Sequence, residues 1–175
     1  MGVDGGGRSI ETPSVFAEDE GGANRELAVA LAEYQRAKVS YIDVVSVLKA
    51  CRLLVPVVAV LEERDDSGAD KSSHMATVTL VQADGRRGLL AFTSIEHLHK
   101  WDPQARPVPA FAVDVCAAAI QEGAHGVLID IAGPVRFAVD NDALTWLASF
   151  SASARETDAQ GHEPGSTPSR TSVDP

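Results

Sequence analysis

Apolar and polar positions along this chain alternate with two periods, and each change of period marks the end of an element. Leu27, Ala30, Leu31 and Tyr34 follow the i, i+3, i+4, i+7 spacing of one buried helical stripe, and Asn24 stands where it can cap that helix. Ser40 and Asp43 form the sequence of a capping box for a second helix, which turns Tyr41, Val44, Val45 and Leu48 inward. Residues 53–61 (LLVPVVAVL) are apolar on both alternating sets, as in a strand covered on both faces. Pro56 removes one ladder donor from that strand and predicts an edge or a bulge.

Residues 75–81 then alternate Ala76, Val78 and Leu80 with Thr77 and Thr79, and Asp84-Gly85 supplies a hairpin turn into a strand over 88–92. Thr93 and Glu96 predict a capping box for a short helix with Ile95, Leu98 and Trp101 inward, stopped by Pro103. Residues 106–112 read as a short extended segment. Val113, Cys116, Ala117 and Ile120 make the next helical stripe, with Gly123 as a left-handed cap. Strands over 127–131 and 135–139 flank Ala132-Gly133-Pro134 as a second hairpin, and Asp140 or Asn141 caps a last helix carrying Leu144, Leu147 and Ala148. The predicted order is ααβββαβαββα. It implies an α/β protein of the α+β kind, with a mixed sheet of about six strands flanked by helices.

Composition adds the boundaries. The chain has 175 residues, 45% hydrophobic and 23% charged, enough for one ordinary domain. Residues 1–23 are rich in Gly, Glu and Asp, and residues 151–175 in Ser, Thr, Pro and Gly. Both stretches are too poor in large apolar groups to offset chain entropy, so they are expected to be disordered tails around a domain at 24–150. The net charge of −10 comes without any basic run, which disfavours nucleic acid and anionic membranes as partners. The start of the chain has no secretory pattern, and Gly6 stands where a myristoylation signal needs Ser or Thr. The apolar run at 53–61 is well short of the roughly twenty residues that span a bilayer. A cytoplasmic protein is expected. Cys51 and Cys116 have neither CxxC spacing nor His/Cys neighbours, which favours buried reduced thiols and leaves a disulfide between them open.

Several spaced phrases carry a family resemblance. Pro56 in the first strand, then Ala91-Phe92-Thr93-Ser94 followed by Glu96, Leu98 and Trp101, resembles the N-terminal domain of the SseB family, named after an enhanced-serine-sensitivity protein of enteric bacteria. The fuller wording Lys71-Ser72-Ser73-His74-Met75-Ala76, Asp84-Gly85-Arg86, Trp101-Asp102-Pro103, Ala105-Arg106-Pro107-Val108-Pro109 and Glu122-Gly123-Ala124 looks like its actinobacterial branch. The resemblance covers roughly residues 25–148. It implies a small intracellular α/β domain without catalytic residues to carry over, and without the second domain of longer relatives.

Candidate chemistry is sparse. Ser72, Ser73 and His74 are adjacent, but successive extended residues point to opposite faces, whereas a serine nucleophile needs a base within hydrogen-bond reach and an acid to orient it. His97 and His99 form an HxH inside a helical pattern, where i and i+2 diverge, so no metal site is expected. The acidic stretch 62–70 lacks the register of a Ca²⁺ loop. Gly123-Ala124-His125-Gly126 reads as a helix cap and turn rather than an RNA clamp, and Gly85-Arg86-Arg87-Gly88 lacks the lysine and helix start of a phosphate loop. No catalytic group, cofactor or metal is predicted. The leading expectation is a non-catalytic interaction or regulatory domain, monomeric or weakly self-associating, that meets a protein partner through Lys71, Ser72, Ser73, His74, Trp101, Asp102 and Arg106. The alternative is a small metabolite-binding protein or enzyme with a pocket near Ser72, Ser73, His74 and Asp102. A third reading, an oligomer-forming structural protein, requires an exposed strand edge or apolar patch.

Overall fold

Two helices open the fold, each started by the side chain that the sequence offers as its cap. In the computed structural model, which describes residues 16–61 and 73–151, α1 (Arg25–Gln35) begins where the Asn24 side chain accepts from the Leu27 amide. The second helix, α2 (Tyr41–Leu48), begins with the complete Ser40–Asp43 capping box. These bonds satisfy amides that a helix start leaves without partners. Leu27, Leu31, Val44, Val45 and Leu48 are buried in one common core.

The remaining elements are β1 (Arg52–Leu61), β2 (Ser73–Thr77), β3 (Thr79–Val81), β4 (Arg87–Ala91), α3 (Ile95–Trp101), β5 (Arg106–Phe111), α4 (Ala112–Gln121), β6 (Gly126–Ile129), β7 (Phe137–Asp140) and α5 (Asn141–Ala148). The fold is α+β, as the patterning predicts, but its strands form two sheets rather than one. One has the order β2-β1-β5, and the other β3-β4-β6-β7. The predicted strand over 75–81 divides at Val78: β2 pairs with β1, and β3 pairs with β4. At the division the Val78 carbonyl accepts from the Leu90 amide at 2.9 Å. Alternation continues through the switch while the hydrogen-bonding partner changes, so periodicity cannot reveal it.

Pro56 lies inside the middle strand of its sheet, not on an edge strand. Leu54 exchanges both backbone hydrogen bonds with Phe92, each 2.8 Å. By strand alternation the Pro56 nitrogen faces the same side. There it falls between the Phe92 bridge and the first β2 pair, Val57 with Thr77. The missing donor thus coincides with a change of partner. Both predicted hairpins form, β3 with β4 and β6 with β7, whereas β4 and β6 run parallel.

Strand residues alternate between two cores. Leu53, Val55, Leu89, Ala91, Val127 and Ile129 face α1, α2, α4 and α5. Leu54, Leu90 and Phe92 face the smaller cluster beneath Leu98 of α3. Each fully buried leucine contributes roughly 1.5–3 kcal/mol, so both faces need apolar residues. Ile120 departs from its predicted stripe and is exposed, because α4 buries Val115 and Ala119 instead.

Contacts at both ends carry the folded part past the limits that composition suggests. Phe16 packs on Phe111 with ring centres 4.9 Å apart, Asp19 pairs with Arg52, and the Ser151 hydroxyl donates to Asp114 at 2.6 Å. Residues 1–15 and 152–175, to which disorder is assigned from composition, lie outside the described residues. Cys51 and Cys116 are free and buried. Among the described residues no helix is long and apolar enough to cross a membrane.

Candidate functional site

The parallel pair β4 and β6, in register at Ala91 and Ile129, brings the residues just beyond them together at its C-terminal mouth. Open α/β sheets gather ligands at such mouths. Here Asp130, 1% exposed, accepts the Thr93 amide at 2.9 Å and the Thr93 hydroxyl at 2.6 Å. His97 Nδ1 lies 3.0 Å from the same carboxylate. Asp130 has a left-handed backbone, φ 54°, a conformation that Asp tolerates better than most residues. Gly133 closes over the group. A Cβ there would stand 2.8 Å from the Asp130 Cβ and 3.3 Å from His97 Nδ1.

The tautomer follows from the geometry. A ring nitrogen facing a carboxylate carries the proton, which leaves Nε2 as the lone-pair nitrogen of the neutral ring. The His97 side chain is 18% exposed. This is the base-and-acid half of a hydrolytic triad, but the hydroxyl is misplaced for one. Thr93 donates to Asp130 and sits 3.1 Å from Nδ1, so it has no proton path to Nε2, which a nucleophile requires. What the cluster does is pin the start of α3. Ser94, rather than Thr93, is the cap, and its side chain accepts from the His97 amide. Thr93 is drawn into Asp130 instead, and Glu96 pairs with Lys100. His99 is exposed on the same helix. Among the described residues, no group of three or more His, Cys, Asp or Glu could hold a metal.

A second place has more room. Side by side, α2 and α5 leave an apolar groove of about 570 Å³, walled by Tyr41, Ile42 and Val45 on one side and by Asp140, Asp142 and Trp146 on the other. Ile42 is 62% exposed and Trp146 is 43% exposed. The Tyr41 ring stacks on Phe137. Its hydroxyl is buried beside the Asp140 backbone without completing a hydrogen bond. Burial pushes the ionisation of that phenol above its ordinary value. At the far end, Lys49 Nζ lies 3.7 Å from the Phe150 ring centre and 5.9 Å from that of Trp146.

The described residues among those singled out from sequence are spread over the first sheet and the end of α3. Lys71 and Ser72 lie outside the described residues. Ser73 and His74 sit on β2 opposite Leu61 and Val60, while Arg106 faces Val57 from β5. They therefore flank opposite edges of β1, out of step with Arg106 by four residues for Ser73 and three for His74, which is about 13 Å and about 10 Å along the strand. Trp101 is half-buried with its ring 5.7 Å from Phe92, a rim anchor of the smaller core. Asp102 accepts from the Gln104 amide in the turn that follows. Trp101, Asp102 and Arg106 remain close in the chain, but β2 does not join them.

Sequence reading missed both gatherings. Asp130 did leave a signal, a carboxylate in the apolar run Val127-Leu128-Ile129-Asp130-Ile131, because a charge buried in a strand must have partners. Trp146 left a weaker one: it is off the Leu144, Leu147, Ala148 stripe of its helix.

A family model for the SseB protein N-terminal domain matches residues 25–146. That span runs from the first residue of α1 to Trp146 and so includes both the Asp130 cluster and the groove. No curated protein and no solved structure matches the chain. The family match covers well over half of the sequence, and on that ground the chain belongs to the SseB family through its N-terminal domain.

Proposed function

We propose that this chain is a non-catalytic, cytoplasmic interaction domain of the SseB family, of the actinobacterial branch, that docks a protein partner along the groove between α2 and α5. One observation carries the reading: Ile42 from α2 and Trp146 from α5, both large and exposed, line a single groove together with Val45 and Ala143. Apolar side chains scattered singly on a surface need no explanation, but two converging on one concavity make an anchor site, and tryptophan is the commonest kind of anchor. The surface is proposed here rather than at the residues singled out from sequence, of which Ser73 and His74 pair with β1 from β2 and Arg106 pairs with it from β5 on the other side. The hydrogen bond from Thr93 to Asp130 favours a structural over a bond-making role for the polar cluster. A chain of net charge −10 has little attraction for nucleic acid or anionic lipid.

Selection of a displayed peptide library on the intact chain, with counter-selection on an Ile42→Glu/Trp146→Glu variant, tests the reading. Peptides kept by the wild type and lost by the folded variant are expected. Equal retention by both chains would remove the groove as the docking site.

A further inference from the structure

We infer, resting on the groove reading above, that its occupant is a cationic amphipathic helix lying along α2 and α5, with a Lys or Arg at the end nearest Asp140 and Asp142. Three features of the groove support this. Its two ends differ in charge. Tyr41 stands beside Asp140 at one end, and Lys49 rests on Phe150 and Trp146 at the other. Each wall helix has eight residues, about 12 Å at 1.5 Å per residue, so the groove takes roughly two turns of a partner helix with apolar residues at i and i+3 or i+4.

The charge argument is the stronger one. Asp140 is the N-cap of α5 and yet makes no side-chain cap bond. Neither its carboxylate nor that of Asp142 makes a hydrogen bond or ion pair among the described residues, whereas Asp43 of α2 is engaged by Ser40 and Asp114 of α4 by Ser151. A partner that covers Ile42 and Trp146 also takes water from these two carboxylates. Burying an unpaired carboxylate is costly, so an apolar or acidic segment is penalised at this end and a cation is selected. The net charge of −10 acts in the same sense at long range.

The test uses the full chain and two amidated synthetic peptides of about four helical turns. Both carry the same Leu/Ala face, and they differ only in Lys or Glu at the flanking positions. Binding is read by titration calorimetry at low and moderate salt, and circular dichroism confirms the fold of every variant. Expected is binding of the Lys peptide at least ten-fold tighter than the Glu peptide, with the difference shrinking several-fold in an Asp140→Asn/Asp142→Asn variant. Asn retains the N-cap chemistry at position 140. Equal binding of both peptides would overturn the charge inference while leaving the groove reading in place. Binding of neither would remove the groove itself. Undiminished binding of the Lys peptide to a Trp146→Ala variant would overturn the inference, since it would locate the attraction elsewhere on an acidic chain. Self-association of the wild type that Trp146→Ala abolishes, seen by sedimentation, would overturn it in favour of a second copy.

Discussion

Asp130 holds His97 by one nitrogen, its Oδ2 standing 3.0 Å from the imidazole Nδ1, and holds Thr93 by both amide and hydroxyl. Three elements, β4, α3 and β6, are tied by this one carboxylate. Asp130→Ala strips the buried Thr93 amide of its acceptor and is expected to destabilise the fold by about 3 kcal/mol, while Asp130→Asn, which keeps an acceptor and tolerates the left-handed backbone, costs about half as much. Urea unfolding measures both. A loss below about 0.5 kcal/mol for the alanine variant, the range of an ordinary surface change, would refute the pinning role.

Arg52 gathers the segment ahead of α1. It pairs with Asp19, donates to the Gly22 carbonyl at 2.7 Å, and reaches the Thr93 carbonyl at 3.0 Å. Asp19→Ala should release this segment at a cost of about 1–2 kcal/mol, as for a charge-assisted, largely buried bond. Limited proteolysis followed by mass spectrometry should then find new cleavage within residues 16–24. An unchanged cleavage pattern would show that the segment stays in place without Asp19.

Glu122 introduces a pH dependence. Burial raises its carboxyl above the ordinary value of 4.5, against the opposing hydrogen bond from Thr77 and the charge of Arg87. A carboxyl raised in the folded state favours folding when protonated, so its contribution falls as pH rises from 4.5 through the raised value. Glu122→Gln should therefore be more stable than wild type at pH 7, by less than about 1 kcal/mol because solvent screens a half-exposed group. The advantage should vanish below pH 4.5. Urea midpoints at the two pH values decide it, and a gain that persists in acid would contradict the assignment.

Burial pushes the Cys51 thiol to about 11, with Glu26 adding to the rise and Arg52 opposing it, and pushes the Cys116 thiol to about 12. Near pH 8 neither is a thiolate, and neither is accessible. An aromatic disulfide reagent should label the native chain slowly and titrate two thiols per chain once guanidinium unfolds it. Fast labelling of the native protein would contradict the buried placement.

Much of the local structure was legible because it depends on near neighbours. The Asn24 cap, the Ser40–Asp43 box, the turn at Gly85 and the left-handed Gly123 lie where spacing places them. Thr93 and Ser94 show the limit. Either can cap a helix, and the choice fell to Ser94 because Asp130, 37 residues away, engages Thr93. The groove was hidden for a related reason. Tyr41 reads as an ordinary inward member of a short helix and Trp146 lies off the stripe of another, and their convergence depends on how α2 and α5 lie against each other.

The sequence by itself determined which residues are helical or extended, which faces are apolar, and that the family is that of the SseB N-terminal domain. The first two follow from periodicity, caps and turns, whose interactions span a few residues, and the family from the spaced phrases that resemble it. Only the tertiary structure decided that the strands form two sheets, that the chain changes partner at Val78 opposite Pro56, and that Asp130 meets His97. Strand order and polar partners at long separation depend on which surfaces meet once both faces of a sheet are covered, and alternation along one strand is the same whichever neighbour it has.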